Sequence, residues 1–373
     1  MSGPRLTVGV EEEFLLVDPD SRMVAPRAEE VIATAVLELG GLVGPELTRY
    51  QVETRTEPHV DLADLAEQLY AHRVRLARAA AGHGVRIVSS GGPVLAPDGT
   101  PPVMPGERYA RSVAAFGALD DDQVSCALHI HVGLDDRHQA LQVGNHLRVW
   151  LPALIALAAN SPFWRGRDTG YASWRAVAWR QWPVSGPPPY FDSLQHYEEL
   201  VTALIGTGTT LDRAGIYWDI RPSHHLPTLE IRVADAALTV DDAVLLAALV
   251  RAAAATALDA FHHGGSAPRP DPQLLDAACW RAARDGLAGK AVDLAGPRLE
   301  PAECRLHALL SWVRPALQHH GDARHVDALV SRLKVHGTGS DRQHAAHRRR
   351  HRLIDTVDDL VAHVLSPPTR RLA

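Results

Sequence analysis

The stretch Leu6-Thr7-Val8-Gly9-Val10-Glu11-Glu12-Glu13-Phe14-Leu15-Leu16-Val17, closed by the turn formers Asp18, Pro19 and Asp20, decides how the rest of the chain is read. Side chains along a strand alternate between its two faces. Glu11 and Glu13 therefore point together, while Val10, Glu12 and Phe14 point the other way. The same split recurs in four more segments. Glu53 and Arg55 oppose Val52 and Thr54; His129 and His131 oppose Ile130 and Val132; Asp219 and Arg221 oppose Trp218 and Ile220; Glu230 and Arg232 oppose Leu229, Ile231 and Val233. Joined in one sheet, these strands would have an aliphatic face for packing and a second face crowded with carboxylates, imidazoles and guanidinium groups.

Working outward, Ala28 to Leu39 has helical spacing and stops at Gly40-Gly41, and Thr48 to Glu57 alternates as a strand. Asp61 caps a helix reaching about Gly82, followed by a strand from Val85 to Ser90 and a Gly/Pro-rich loop from Gly91 to Gly106. A helix is expected over Glu107 to Leu119, a strand over Val124 to Gly133, and a long helix over Asp136 to Asn160 bending at Pro152. Ser161 to Tyr190, rich in Trp, Arg and Pro without a sustained period, reads as a long functional loop able to cover a site. Strands at Ile216 to Arg221 and Thr228 to Ala234 precede an almost wholly helical remainder from Asp241. The expectation is an α+β fold, a mostly antiparallel sheet carrying helices on one side. No internal repeat and no domain boundary stands out.

The 373 residues are 46% apolar and 22% charged, the balance of a globular enzyme-sized body. Val244 to Phe261 is broken by Arg251 and Asp259 and reads as a buried helix rather than a membrane span. Met1 to Arg5 lack the pattern of a secretory leader, and Cys126, Cys279 and Cys304 are too scattered for a disulfide framework, so a cytoplasmic protein is expected. Cys126 shares parity with Ile130 and is expected on the packed side. The net charge of -6 and the lack of aromatic interleaving in the run Arg348 to Arg352 give no argument for nucleic acid.

Carboxylates held together cannot all stay ionised without a compensating charge, and a divalent cation supplies it. Mostly oxygen ligands with an imidazole favour magnesium or manganese, and those ions suggest phosphates. Any one glutamate alone reads as a solvated charge on a wet sheet face, and His129-x-His131 alone reads as half-buried polarity as readily as metal ligation. Five strands of one design read as a site. The chain has no phosphate-binding Gly-rich loop of the GxxxxGK[ST] type and only two lysines, Lys290 and Lys334, so phosphates would fall to metals and arginines. Arg175, Arg221 and Arg232 are candidates, Arg175 being open to a second reading as the anchor of its loop.

Gly9-Val10-Glu11-Glu12-Glu13-Phe14, His129-Ile130-His131-Val132-Gly133, Trp218-Asp219-Ile220-Arg221-Pro222 and Leu229-Glu230-Ile231-Arg232 together resemble the type 2 glutamate-cysteine ligase family of carboxylate-amine ligases. Gln51-Val52-Glu53-Thr54, Glu107-Arg108-Tyr109, Ser161-Pro162-Phe163 and Asp168 to Arg175 extend the likeness over most of the chain. The family is similar to glutamine synthetase, whose site opens in a funnel of antiparallel strands. The resemblance implies one catalytic domain over 1–373, helical from about 239, with metal ligands Glu11, Glu13, Glu53, His129 and Glu230. It further implies catalytic roles for Arg232 and His131, and substrate or ATP contacts for Arg55, Arg175 and Arg221.

The implied reaction uses ATP with Mg2+ or Mn2+ to activate the γ-carboxylate of glutamate as an acyl phosphate, captured by an amine such as cysteine. Its partners would be small molecules, with no nucleic acid or membrane, in a homodimer or larger homo-oligomer. The segment Ser89-Ser90-Gly91-Gly92-Pro93 departs from the family pattern and leaves substrate choice open. A metal-dependent hydrolase of γ-glutamyl amides is the competing reading of the same residues.

Overall fold

The computed structural model describes residues 5–121 and 123–369; Met1 to Pro4, read above for a leader, lie outside the described residues. A seven-stranded antiparallel sheet organises the chain. Its order is Ile220–Pro222, Thr228–Asp235, Ala127–Gly133, Val8–Val17, Gln51–Arg55 and Val43–Pro45, with Arg86–Val88 pairing the far end of Val8–Val17. The short strand Val43–Pro45 was not expected; its Gly-Pro composition hides it from an alternation test.

The register sets the charged residues side by side. Glu11 lies opposite both Arg55 and His129, Glu13 opposite Glu53, and Glu230 opposite both His131 and Arg221. Val8, Val10, Leu128, Ile130, Val132 and Ile231 form the reverse face and pack with the helix Val240–His262 in the largest core cluster. That helix is long and apolar enough to cross a membrane, yet most of its most apolar window is buried within the protein, as the breaks at Arg251 and Asp259 suggest. Thr239 starts it with a reciprocal capping box to Asp242.

The helix Ala28–Leu39 has its expected bounds, and Asp61 caps Leu62–Gly82 by accepting from the Ala63 N–H at 2.8 Å. The long helix after Asp136 is instead two, Arg137–Leu147 and Leu151–Ala158, joined by a 3-10 turn at Arg148–Trp150. The break precedes Pro152 because a residue without an N–H fits the first turn of a new helix, where no intrahelical partner is needed. The helical remainder is interrupted by a hairpin, Lys290–Asp293 with Arg298–Pro301.

The glutamate face is closed at one end. Beyond Glu13 the same parity carries Leu15 and Val17, which pack with Phe163 and with Val357 and Leu360 of the helix Leu353–Val364. Cys126 belongs to this cluster and not to the helix-backed side, because the strand begins at Ala127 and parity does not extend to it. Its thiol is fully buried, which pushes its pKa well up. The Ser161–Tyr190 stretch is more ordered than expected. It contains the helix Trp174–Trp179, and Asp235 pins its base by accepting from the Asn160 N–H and from the hydroxyls of Ser161 and Ser173 at 2.7–2.8 Å. Ser89 to Pro93 is interior packing: a Cβ on Gly92 would lie 2.2 Å from the Trp164 ring.

Candidate active site

Three overlapping groups of ligand atoms lie on the open face: Glu11, His131 and Glu230; Glu11, Glu53 and His129; and Glu13, Glu46 and Glu53. Within each group the atoms are all within 4.8 Å of one another. Glu46 follows the strand Val43–Pro45 and was missed from sequence, since it lies outside any alternating run. The five residues expected to hold metal are all in these groups, and His131 joins them.

Their electrostatics are those of an unneutralised acid cluster. Burial, then the Glu53 charge, pushes Glu13 up to about 8, although Arg175 and an N–H from Ala127 oppose the rise. Loss of solvent and the Glu13 charge push Glu46 to about 8, and burial beside Glu46 and Glu11 raises Glu53 well above the ordinary range. Glu11 behaves differently. Burial alone would raise it, but a hydrogen bond with His129 and the nearby His131 imidazole hold it below the usual carboxylate range. His129 is depressed to about 4 by burial and by Arg232, so at neutral pH its imidazole is uncharged and able to ligate. One of its ring nitrogens, Nδ1, lies 3.1 Å from Glu11 and the other, Nε2, 3.8 Å from Glu13. His131 bonds the Thr228 hydroxyl through Nδ1 at 2.9 Å, leaving Nε2 buried without a hydrogen-bond partner among the described residues, 3.6 Å from Glu11. Raised carboxylates and an orphaned imidazole nitrogen fit a divalent cation.

The arginines divide by what already occupies them. Arg221 donates to Glu230 from Nε at 2.7 Å and to the carbonyls of Ala214 and Ile216, which makes it a tether for Glu230 and leaves little for a substrate. Arg55 is half exposed, paired with Glu53 and 3.8 Å from Glu11. Arg175 is fully buried, bonds the Arg232 carbonyl at 3.1 Å and stacks over Trp179, so it anchors its loop through a carbonyl and a ring. Arg232 is paired with Glu230 while its Nε–H has no hydrogen-bond partner among the described residues. A register shift between Ile231 and Ala234 places Arg232 at a bulge, a common device for re-aiming a side chain beside an active site. Arg232 and Arg175 both line a cavity of about 320 Å³ that also holds Glu13, Glu46, His129 and Gln123. Asp219, on the Arg221 motif, instead lines a neighbouring cavity with Arg175, Arg180 and Asp276; its burial pushes it up to about 6.

The profile of the Glutamate-cysteine ligase family 2 (GCS2) matches residues 7–359. The chain belongs to that family. Among its relatives is a protein of Frankia alni, 44% identical over 369 residues, covering 94% of this chain and 95% of its own. Another, from Saccharopolyspora erythraea, is 44% identical over 360 residues, covering 96% and 94%. They bear the names "Putative glutamate--cysteine ligase 2-2" and "2-1" respectively. Two solved structures share the fold. One is the glutamate–cysteine ligase of Francisella tularensis in complex with AMP, 14% identical with a TM-score of 0.71 over 96% of this chain and 89% of that one. The other is a bifunctional glutathione synthetase of Pasteurella multocida, 15% identical with a TM-score of 0.70 over 96% of this chain and 52% of that one. Family membership makes the chain an ATP-dependent ligase of the glutamate–cysteine type.

Proposed function

We propose that this ligase uses ATP to activate the γ-carboxylate of glutamate and joins it to an amine. The observation that supports the reading best is the set of three overlapping ligand groups on one sheet face, two of them meeting at Glu11 and two at Glu53. Glu11, Glu13, Glu46, Glu53, His129, His131 and Glu230 would hold magnesium or manganese. Such ions, when bound, neutralise both the carboxylates and a triphosphate.

The chain's own residues then have definite work. The γ-carboxylate oxygen of glutamate attacks the γ-phosphorus of ATP, the bond to the bridging oxygen breaks, and ADP leaves. Arg232, with its Nε–H unused and its charge fixed by Glu230, stabilises the transferring phosphoryl group. The amine nitrogen next attacks the acyl carbon, the C–O bond to phosphate breaks, and the amine's proton passes to solvent. The Ser161–Tyr190 segment, pinned at Asp235, shields the acyl phosphate from water.

Purified protein incubated with ATP, magnesium, glutamate and a panel of amines tests this. ADP release matched by a γ-glutamyl product is the expected result. Nucleotide-free turnover of γ-glutamyl amides, with no ADP from any amine, would replace the ligase by a hydrolase.

A further inference from the structure

The cavity beside Glu13 and Glu46 has more than a glutamate needs. One wall is aromatic and is assembled from three separate segments. The helix Glu107–Phe116 supplies Tyr109 and Phe116, the Ser161–Tyr190 segment supplies Trp179 and Trp182, and Tyr217 completes it. The rings are in contact: Phe116 with Trp182 at 5.1 Å, Trp182 with Tyr217 at 5.2 Å and Trp179 with Tyr217 at 4.9 Å between centroids. The helix Glu107–Phe116 has no fully buried residue and reaches the core only through the half-buried Tyr109. Tyr109, Ser112 and Phe116, spaced as one helical face, line the cavity.

Polar groups lining the same cavity also lack partners. The indole N–H of Trp182, a residue 4% exposed, and both amide atoms of Gln123, 3% exposed, are buried without a hydrogen bond among the described residues. Leaving such groups unpaired is costly, and a turn of either side chain toward the cavity it lines lets a bound molecule relieve the cost. A polar, flexible amino acid such as glutamate would draw on the carboxylate-bound cations and the arginines. Flat rings with an embedded N–H instead match a ligand that is itself flat and carries a hydrogen-bonding atom. About 320 Å³ is at the small end of the roughly 300–1,000 Å³ range of ligand pockets, suited to a small amine beside the reacting carboxylate and too small for a nucleoside triphosphate as well.

We propose that the acceptor substrate is a primary amine bearing a flat aromatic or heteroaromatic ring, held by Trp179, Trp182 and Tyr217 with Gln123 and the Trp182 N–H reading a polar atom on the ring. This rests on the ligase reading above and names its second substrate. The bond formed is the γ-amide, with phosphate leaving and the ammonium proton passing to solvent.

The test uses the full chain with ATP, magnesium and glutamate. Hydroxylamine, too small to need the wall, reports carboxylate activation as γ-glutamyl hydroxamate. Phenethylamine, tyramine, methylamine and cysteine report acceptor choice. The expected kcat/KM for the aryl amines exceeds that for methylamine and cysteine by about 10-fold or more. Trp182→Ala removes that preference through the KM for the amine. Trp182→Phe, which keeps a ring in place, lowers tyramine turnover by about 3- to 10-fold, the worth of one hydrogen bond, and leaves the preference for phenethylamine over methylamine. Hydroxamate formation with cysteine or methylamine as the best acceptor would overturn the proposal and leave the ligase reading standing. A Trp182→Ala effect on the KM for ATP and not for the amine would also overturn it, assigning the wall to the nucleotide base. Absence of both hydroxamate and ADP would remove the ligase reading and this inference together.

Discussion

Glu12 and Glu13 are neighbours in one strand, both buried, and the fold treats them in opposite ways. Glu12 faces the helices, where Arg73 meets it with Nε at 3.1 Å and Nη2 at 2.5 Å. The other donors of Arg73 are filled by the carbonyls of Ala237, Leu238 and Val364. A guanidinium has five N–H donors, and here every one has an acceptor. Glu13 faces the cavity, where its nearest charged company includes Glu53 and Glu46, and its carboxyl is pushed up. The difference separates two kinds of buried charge: a buried acid that is fully paired holds the fold, while acids buried against one another keep a repulsion that the fold itself does not neutralise.

The contrast can be tested by substitution. Glu13→Gln should lower ADP-forming activity on the order of 10³-fold, with thermal stability unchanged or raised, since a repelling carboxylate has been removed. Glu12→Gln should leave the cavity side intact but cost roughly 3–5 kcal/mol in denaturant unfolding, because Arg73 stays buried without its counter-charge. Equal stability losses in the two variants would erase the distinction. Glu230 sits between the regimes, paired with Arg221 and Arg232 yet grouped with Glu11 and His131, so Glu230→Gln should lower both activity and stability.

A smaller effect is expected from pH. In protein stripped of divalent ions, Glu13 and Glu46 keep their protons up to about 8, whereas in the unfolded chain they lose them near 4.5. Between those values the folded state binds more protons, so their contribution to stability is full below 4.5 and is lost as pH rises toward 8. The melting temperature of the stripped protein should therefore fall across that window, and added magnesium or manganese should flatten the profile. Smallest of all, Glu46→Gln should raise stability without divalent ions by about 1 kcal/mol, read from the same melts. A stability loss there would mean that Glu46 is already paired.

Much of this was legible in the sequence. The alternation around Glu11 to Phe14 placed Glu12 with the apolar residues and its two neighbours opposite them, because parity is a local property of an extended chain. The Glu53, His129 and Glu230 strands followed the same rule. Glu46 did not, since it lies just past a strand too short and too rich in Gly and Pro to show a period. Gln123 and the aromatic wall were also hidden, because they converge from segments that only tertiary packing joins. The Ser161–Tyr190 segment was recognised by composition, but its internal helix Trp174–Trp179 covers only six residues and gives no usable repeat. The occupation of Arg221 by Glu230 and three carbonyls depends on register, which the sequence does not state.

The five acceptors of Arg73 come from Glu12, Ala237, Leu238 and Val364, so a single side chain ties together points up to about 350 positions apart in the chain. Contacts of such separation form late in folding, since the loops they close are long. Arg73 can therefore fill its last donor only after the ribosome has released Val364, so the counter-charge of the glutamate strand is fully satisfied only once synthesis has passed that point.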